Sequence, residues 1–278
     1  MLEIFNYGFM VRAFIAGGVI ALIAPTIGIF LVVKRYSLLS DSLSHVALAG
    51  IAIGIISGVY PVITAIFACL AAAIMIEWLR GRNKAYGDAI LSLFLSGSLA
   101  IALVLISLAK GFNLSLFSYL FGSITSVTQE DIIIILALAA VSFAILFKYY
   151  RKFLYVTFDE EAAKVTGLPV KRLNLLLMAL AAVTVSISMR IVGVLMISAL
   201  MVMPVISSIH IASSFKKTVL YSIFFSIVSV FGGLFISYYL NIVAGGAIVF
   251  LALIIFVITL ILGGYLKKRK AGLIKKKF

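Results

Sequence analysis

Long runs of uncharged, mostly apolar residues constrain the fold of this chain more than any other feature. The runs are roughly 17–25 residues long, the length that an α-helix needs to cross the hydrocarbon core of a bilayer. Hydrophobic residues make up 64% of the 278 residues and charged residues 12%. A soluble domain averages about half apolar and about a quarter charged residues. Short segments of alternating hydrophobicity, which would indicate barrel strands, are not visible. The sequence therefore predicts an all-α polytopic membrane protein.

The formal net charge of +14 does not indicate a nucleic-acid ligand, because of where the charges lie. Basic residues fall in small groups between the apolar runs, where the positive-inside rule places them in membrane proteins. The single cysteine, Cys69, lies inside an apolar run, so neither a disulfide nor a thiolate metal site is predicted. The N-terminus does not resemble a cleaved signal peptide, since Glu3 precedes any positive charge and the run after Arg12 is too long.

The runs predict about nine transmembrane helices, or eight if the short fifth or sixth span is miscounted. Two long runs each divide into two helices, at "SGVYP" (Ser57–Pro61) and at "NIVAGG" (Asn241–Gly246). Basic clusters follow spans one, three, five, seven and nine, which predicts an outside N-terminus and a cytoplasmic C-terminus. The predicted runs are Ala13–Val33, Ser42–Ile76, Ala89–Ala109, Ile132–Phe147, Leu173–Met189, Ile191–Phe215 and Thr218–Leu266.

Two connections between spans differ from plain loops. "NLSLFSYLFGSITSVTQEDI" (Asn113–Ile132) is apolar but too short and too broken by Gly and Ser to cross a membrane. It predicts a partial or interfacial helix on the outer side. Glu130 and Asp131 at its end either attract cations or a partner protein at the outer face, or cap the fifth span.

The second connection, "TFDEEAAKVTGLPVKRLN" (Thr157–Asn174), is the longest polar segment predicted on the cytoplasmic side. It carries the signals of a short helix: a cap, an acidic first turn that suits the helix dipole, and a stop. These signals are Thr157 or Asp159 as the cap, Glu160 and Glu161 in the first turn, Gly167 as the stop and Pro169 after it. Such a helix is either a docking element or an ordinary loop helix.

An acid and an imidazole lie at the head of the second span, in "SDSLSHVALAG" (Ser40–Gly50). If the helix begins near Ser37, with Ser37 or Ser40 as its cap, Asp41 lies ~6 Å and His45 ~12 Å along it. Their i,i+4 spacing places both side chains on one face. Ionisable groups are costly at this depth and should face a protein interior or an aqueous path. A carboxylate plus an imidazole suits Zn, Mn or Fe(II). The alternatives are a mutual hydrogen bond that only stabilises packing, and a proton relay.

Other candidate ligands carry less information. His210, near the cytoplasmic end of the seventh span, is either an interfacial histidine or an exit-side metal contact. Met196, Met201 and Met203 suggest a soft-metal path, although methionine is ordinary packing in a bilayer helix. No G-x-x-x-x-G-K-[ST] phosphate loop occurs in the chain. The chain thus shows no ATP-binding motif of its own, and any energy that it needs must come from a partner or from a gradient.

Taken together, four segments resemble those of a known family, the permease subunits of ATP-binding-cassette (ABC) importers for zinc, manganese or iron. The similar segments follow one another along most of the chain. They are "LLSDSLSHVALAG" (Leu38–Gly50), "LFGSITSVTQEDI" (Leu120–Ile132), "DEEAAKVTGLPVKRLN" (Asp159–Asn174) and "VGVLMISALMVMPVISS" (Val192–Ser208). The first resembles the family's Asp-x-x-x-His segment, and the third resembles its ATPase-coupling loop.

The resemblance implies a type II ABC importer-like permease, a transport subunit rather than an enzyme, in the plasma membrane of a prokaryote. Residues 1–278 would form one transmembrane domain with a coupling element at 157–174 and a basic cytoplasmic tail at 267–278. The implied partners are a second copy of the chain, a cytoplasmic ATPase and an extracytoplasmic metal-binding protein. Zn, Mn or Fe would be the transported ion, with no cofactor bound permanently.

The resemblance also assigns roles to residues. Asp41 and His45 would contact the passing metal. The residues expected to couple to the ATPase are Asp159, Glu160, Glu161, Gly167, Leu168 and Pro169. The competing hypothesis is a secondary, ion- or proton-coupled metal transporter that acts without an ATPase. It would need acids within the membrane for proton coupling, and Asp41 is the only acid predicted to lie deep.

Overall fold

The computed structural model describes residue 4 and residues 6–82, 86–108 and 114–275; for 114–116 and 266–275 it describes the backbone alone. These residues form eleven helices and no strand. In chain order the helices are α1 Gly8–Val33, α2 Ser37–Ser57, α3 Pro61–Arg82, α4 Gly87–Leu108, α5 Leu114–Phe121, α6 Gln129–Phe158, α7 Glu160–Val165, α8 Val170–Ser188, α9 Ile197–Ile211, α10 Phe215–Leu240 and α11 Ala244–Lys275. The predicted all-α membrane fold is thus confirmed.

Eight helices of the described chain are long and apolar enough to cross a membrane: α1, α2, α3, α4, α6, α8, α10 and the part of α11 up to Tyr265. α9 has 15 residues and rises only about 22 Å, less than the hydrocarbon thickness of about 30 Å. The predicted count of nine is therefore not matched exactly. The difference lies in the seventh predicted span, Ile191–Phe215, and not in the fifth or sixth.

A turn between α8 and α9 shortens that span, and a neighbouring segment satisfies its backbone. Gly193 has φ +88, and Val194 N donates to Tyr119 O of α5 at 2.9 Å. A Cβ on Gly193 would lie 2.5 Å from Leu120 O, and one on Gly122 would lie 2.1 Å from Ile191 O. Irregular backbone at membrane depth is tolerated only where protein satisfies it. Here α5 and the turn satisfy each other.

Polar contacts at the two ends of α1 distinguish the two ends of the bundle. Arg12, near the start of α1, donates to Val127 O at 2.9 Å, just before α6 begins. Lys34, after the end of α1, donates to Asn174 Oδ1 in α8 at 2.6 Å. Because α5 lies on the first side and α7 on the second, we call these the α5 end and the α7 end.

The predicted breaks are confirmed, but two details of the helix starts and ends are wrong. α2 does begin at Ser37, yet its N-cap is Tyr36 and no side chain caps it. Ser40 Oγ instead donates to Ser37 O at 2.8 Å. α6 continues through the basic cluster that was expected to end it and stops at Phe158, so Thr157 belongs to α6 and caps nothing.

The outer connection forms the short helix α5, as predicted, although Asn113 at its head lies outside the described residues. The same holds for residues 276–278 of the predicted basic tail, and the side chains of 267–275 are likewise outside them. The chain breaks after α2 at Gly58, which has φ +68, and after α10 at Asn241, which has φ +52. Both positions lie inside the predicted breaks.

The transmembrane helices divide into inner and outer ones. Within the most apolar window of each helix, 72% of residues are buried in α1, 72% in α2 and 67% in α8, against 22% in α4 and 22% in α6. The first three helices therefore form the interior of the bundle. Polar side chains on α2 that are not fully buried are therefore of interest as functional residues.

Candidate transport site

Two ionisable side chains of α2 at the α7 end are only partly covered, although the residues between them are buried. Asp41 and His45 are half-buried. The three side chains between them, Ser42, Leu43 and Ser44, are at most 1% exposed. The two partly covered positions are four residues apart, so Asp41 and His45 share one face as the sequence predicted. The helix thus presents an acid and an imidazole on an otherwise packed element.

His45 carries an unsatisfied polar atom. Its Nδ1 is buried and has no hydrogen-bond partner. Asp41 does not supply one, so the alternative of a mutual hydrogen bond between the two side chains does not match the geometry. Buried polar atoms are almost always paired, and an unpaired one suggests a ligand or an ion. An imidazole lone pair and a carboxylate are ligands for a divalent transition metal.

The two side chains of one chain do not make a complete metal site. No group of three or more His, Cys, Asp or Glu side chains that could hold an ion occurs in the part of the chain that the structure describes. Cys69 is fully buried, and its Sγ donates to Leu43 O at 3.3 Å, so it supplies no further ligand. Among the described residues, Asp41 and His45 thus form a pair without a third side chain of these types.

The serines beside the pair donate hydrogen bonds to backbone carbonyl groups. Ser42 Oγ donates to Leu91 O of α4 at 2.8 Å, and Ser44 Oγ donates to Asp41 O at 2.7 Å. Both hydroxyl groups are fully buried. The Ser42 bond ties α2 to α4 and so helps to fix the rotation of α2 against this neighbour. The Ser44 bond stays within α2.

The predicted coupling element contains the helix that its sequence indicated. Asp159 caps α7, since its Oδ1 accepts hydrogen bonds from Glu161 N at 3.1 Å and from Ala162 N at 2.9 Å. Gly167 ends the helix in the left-handed conformation, with φ +79, and Leu168 N donates back to Ala163 O at 3.1 Å. The cap and the stop are therefore those predicted.

A buried lysine fixes α7 to the bundle. The Lys34 side chain is 5% exposed, and its Nζ lies 3.7 Å from the Glu160 carboxylate and bonds Asn174. Burial lowers the pKa of Lys34 below its ordinary value, although the charge of Glu160 acts the other way. Burial acts to raise the pKa of Glu160, but the hydrogen bond and charge of Lys164 and the charge of Lys34 outweigh it and lower that pKa. Sequence reasoning assigned Lys34 to a basic cluster and missed this role.

The outer side of α7 is exposed and partly apolar. Val165 is 89% exposed, and Gly167 and Pro169 beside it are also exposed, while Leu168 is half-buried. Glu160 lines a cavity of about 330 Å³ together with Tyr36 and Arg80. The cap, the stop and the anchor to the bundle therefore hold a short helix whose tip is exposed.

The α5 end holds a buried ion pair that sequence reasoning missed in part. Asp131 is 1% exposed; it caps α6 together with Thr128 and lies 3.3 Å from Arg190 Nε. Tyr60 donates to its carboxylate at 2.5 Å, and burial together with this bond raises the pKa of Tyr60. Of the two predicted roles, Asp131 has the capping role, and only Glu130 is exposed. The signal missed was Arg190, a single cation between two apolar runs.

The remaining candidates lie elsewhere in the fold. His210 is half-buried near the end of α9, with its ring centroid 5.9 Å from that of Phe256. Met201 is fully buried, whereas Met196 and Met203 are half-buried. His210 joins no acidic or histidine cluster among the described residues. The geometry gives these side chains ordinary packing.

Comparison with protein families identifies the class of the whole chain. The model of the ABC 3 transport family matches residues 6–263. The chain belongs to this family. As a member of the ABC 3 transport family it is a membrane permease of a transporter and not an enzyme.

Members and neighbours of the family support this assignment along the full length. The chain is 30% identical to the high-affinity zinc uptake system membrane protein ZnuB of Haemophilus influenzae, over 89% of this chain and 95% of that protein. It is also 30% identical to the manganese import system permease protein ScaB of Streptococcus gordonii, over 95% and 96% of the two chains. Among solved structures, PsaBC from Streptococcus pneumoniae in complex with Fab superposes with a TM-score of 0.80 at 32% identity, covering 93% and 92%.

Proposed function

We propose that this chain is the permease of an ABC importer that takes up a divalent transition metal ion: zinc, manganese or iron. Two copies form the pathway, a separate cytoplasmic ATPase supplies the energy, and an extracytoplasmic metal-binding protein delivers the ion. Family membership supports the transport class. The relatives named for zinc uptake and for manganese import support this range of ions. The protein would lie in the plasma membrane of a prokaryote, and its eight long apolar helices support a multi-pass membrane location.

One observation carries the proposal of a metal pathway: the partly covered face of α2. Asp41 and His45 stand half-buried on an interior helix, and His45 Nδ1 is buried without a partner. An apolar face would pack more favourably there, because ionisable groups within a membrane segment are costly unless they line a pathway. The same face on a second copy of the chain would supply two further ligands.

In the proposed mechanism, the pathway binds the ion weakly and opens first to one side of the membrane and then to the other. The ion enters at the α5 end and is held transiently by Asp41 and His45 of both copies. A conducting site must bind strongly enough to admit an ion and weakly enough to release it, which suits two ligands from each chain. ATP binding and hydrolysis in the partner act on the segment Asp159–Pro169, which Glu160 joins to Lys34 and so to α1. This contact transmits the motion that opens the other side.

The distribution of cations supports an orientation with the α7 end in the cytoplasm. At the α5 end, the described cations Arg12 and Arg190 each donate to a backbone carbonyl of the loop before α6. The α7 end carries most of the others, as the positive-inside rule requires. They are Lys34, Arg35, Arg80, Arg82, Lys148, Arg151, Lys152, Lys164, Lys171, Arg172, Lys216 and Lys217. The N-terminus would then be outside and the C-terminus cytoplasmic.

Metal uptake tests the site. Cells that express the complete transporter take up radioactive Zn, Mn or Fe, and Asp41→Ala and His45→Ala should each reduce uptake at least tenfold. Each change removes half of the ligands that one chain supplies. Ser37→Ala is the matched control, because Ser37 is a half-buried polar residue one helical turn before Asp41. Normal uptake in both ligand variants, at equal membrane levels, would overturn the metal role of this face.

A second measurement separates the importer from a secondary transporter. We expect the ATPase to co-purify with the chain, and its inactivation to abolish uptake. Glu160→Ala and Glu161→Ala should reduce both coupling and co-purification. An ATPase that never binds the chain, together with normal uptake in these variants, would contradict the importer and favour a gradient-driven carrier.

A further inference from the structure

A groove at the α7 end, between the end of α3 and the start of α8, lies outside the proposed transport pathway. Its volume is about 420 Å³. Ile74, Trp78 and Arg82 line it from α3, and Lys171, Arg172 and Leu175 line it from α8. Ile74 is 56% exposed and Trp78 is 53% exposed. The groove is therefore open along the flank of the chain.

The lining residues change in chemical character along the helix. Ile74, Trp78 and Arg82 lie at i, i+4 and i+8 of α3 and so follow one face, rising roughly 12 Å. The order is aliphatic, aromatic and cationic, from the apolar part of the span towards its end. In α8 the cationic residue comes first along the chain and the aliphatic one follows, since Lys171 lies one turn before Leu175. A phospholipid changes in the same order, from acyl chains through the interface to the headgroup, and tryptophan is enriched at that interface.

The net positive charge of the groove favours a lipid with an anionic headgroup. Arg82, Lys171 and Arg172 contribute three cations, and one acid, Glu77, lines the same groove. Glu77 also borders the neighbouring cavity that contains Arg80, so the groove keeps an excess of positive charge. The Arg82 guanidinium lies 4.0 Å from the ring centroid of Trp78, which holds one cation directly above the apolar wall.

We propose that this groove binds an anionic phospholipid, with the headgroup phosphate at Arg82, Lys171 and Arg172 and an acyl chain against Ile74 and Leu175. Basic pockets between transmembrane helices at the membrane surface bind anionic lipid headgroups. The apolar wall belongs to transmembrane segments, so the occupant must be a molecule that reaches into the bilayer. The inference does not depend on which ion is transported.

Native mass spectrometry of the purified full-length chain tests the proposal. Phosphatidylglycerol and phosphatidylcholine with identical acyl chains are added separately, and the lipid retained by the protein is counted. We expect the wild type to prefer phosphatidylglycerol at least tenfold. The variant with Arg82→Gln, Lys171→Gln and Arg172→Gln should lose this preference, because each cation near an anionic lipid contributes to its binding.

The matched control removes the same charge from the same end of the protein. Lys148→Gln, Lys152→Gln and Lys217→Gln change three exposed lysines that do not line the groove, and this variant should keep the preference. Thermal unfolding of both variants in detergent verifies that they fold. Equal retention of the two lipids by the wild type, or an equal loss in both triple variants, would overturn the proposal. An equal loss in both triple variants would mean that the overall positive charge of the α7 end, and not the groove, attracts the anionic lipid.

Discussion

The polar residues inside apolar segments have three different structural roles. Ser42 and Ser44 donate to backbone carbonyl groups, and the Ser42 bond ties α2 to α4. Asp131 and Arg190 neutralise each other at the α5 end. His45 presents a buried nitrogen without a hydrogen-bond partner on the half-buried face that it shares with Asp41. Since unpaired polar atoms are costly in a protein interior, the first two roles stabilise the fold and the third indicates function.

Removing one member of the Asp131–Arg190 pair should strongly destabilise the protein. Arg190→Gln leaves the carboxylate of Asp131 buried and without its counter-charge, which should cost about 3–5 kcal/mol of unfolding free energy. Unfolding of the purified protein in detergent, followed by heat or denaturant, measures this loss. Asp131→Asn added to Arg190→Gln should restore part of the stability, because no uncompensated charge remains.

Arg12→Gln is the control for this prediction. Arg12 also bonds the loop before α6, through Val127 O, but its change removes one hydrogen bond from a charged donor and should cost less, about 2 kcal/mol. If Arg190→Gln costs no more than Arg12→Gln, the ion pair contributes little, and the backbone hydrogen bonds hold this end together.

At the scale of elements, the connection α6–α7–α8 shows how local signals define a small helix. Asp159 caps α7 and Gly167 ends it, and Glu160 and Lys34 tie it to the bundle. Gly167 has open space around its α-carbon. A side chain there is therefore opposed by the backbone conformation alone, which allows a clean test of the helix stop.

Gly167→Ala should loosen α7, since the left-handed conformation costs a non-glycine residue about 1–2 kcal/mol. We expect amide hydrogen exchange in residues 160–166 to accelerate about tenfold, because about 1.4 kcal/mol corresponds to one factor of ten. Gly167→Asn is the control, as asparagine tolerates this conformation, and it should leave exchange nearly unchanged. Equal acceleration in both variants would mean that side-chain contacts, and not the φ angle, require the glycine.

At the scale of the whole molecule, the bundle has two chemically distinct ends. The described cations of the α5 end bond loop carbonyls, whereas the α7 end has many exposed cations. Between the ends, α1, α2 and α8 are packed inside, and α4 and α6 lie outside. Only one orientation in the membrane satisfies the positive-inside rule.

Cysteine labelling in whole cells tests that orientation. A membrane-impermeant thiol reagent should label Glu130→Cys from outside, because Glu130 is exposed at the α5 end. It should label Val165→Cys, at the exposed tip of α7, only after the cells are permeabilised. The native Cys69 is 0% exposed and should not react, so the wild type is the background control. The reverse pattern of labelling would place α7 outside and exclude ATPase coupling at this helix.

Much of this architecture followed from the sequence by itself. Hydropathy and run length determined the all-helical membrane class, and the breaks at Gly58 and Asn241 lay where turn residues predicted them. The i,i+4 spacing placed Asp41 and His45 on one face, because helical periodicity is a local property. The cap and stop of α7 were equally local, since each depends on residues within one or two turns.

The tertiary structure decided what depended on contacts between distant segments. α9 is short because the turn at Gly193 bonds α5 instead of continuing a helix. Hydropathy along the sequence cannot reveal this contact with α5. Lys34 pairs with Glu160, and Arg190 pairs with Asp131, although the partners lie far apart in the sequence. In the sequence alone, Lys34 therefore looked like part of a basic cluster and Arg190 like an isolated charge. Whether the face with Asp41 and His45 is covered depends on how neighbouring helices pack around α2. Long-range packing, which no local pattern encodes, thus determined which polar residues are paired and which remain available for a ligand.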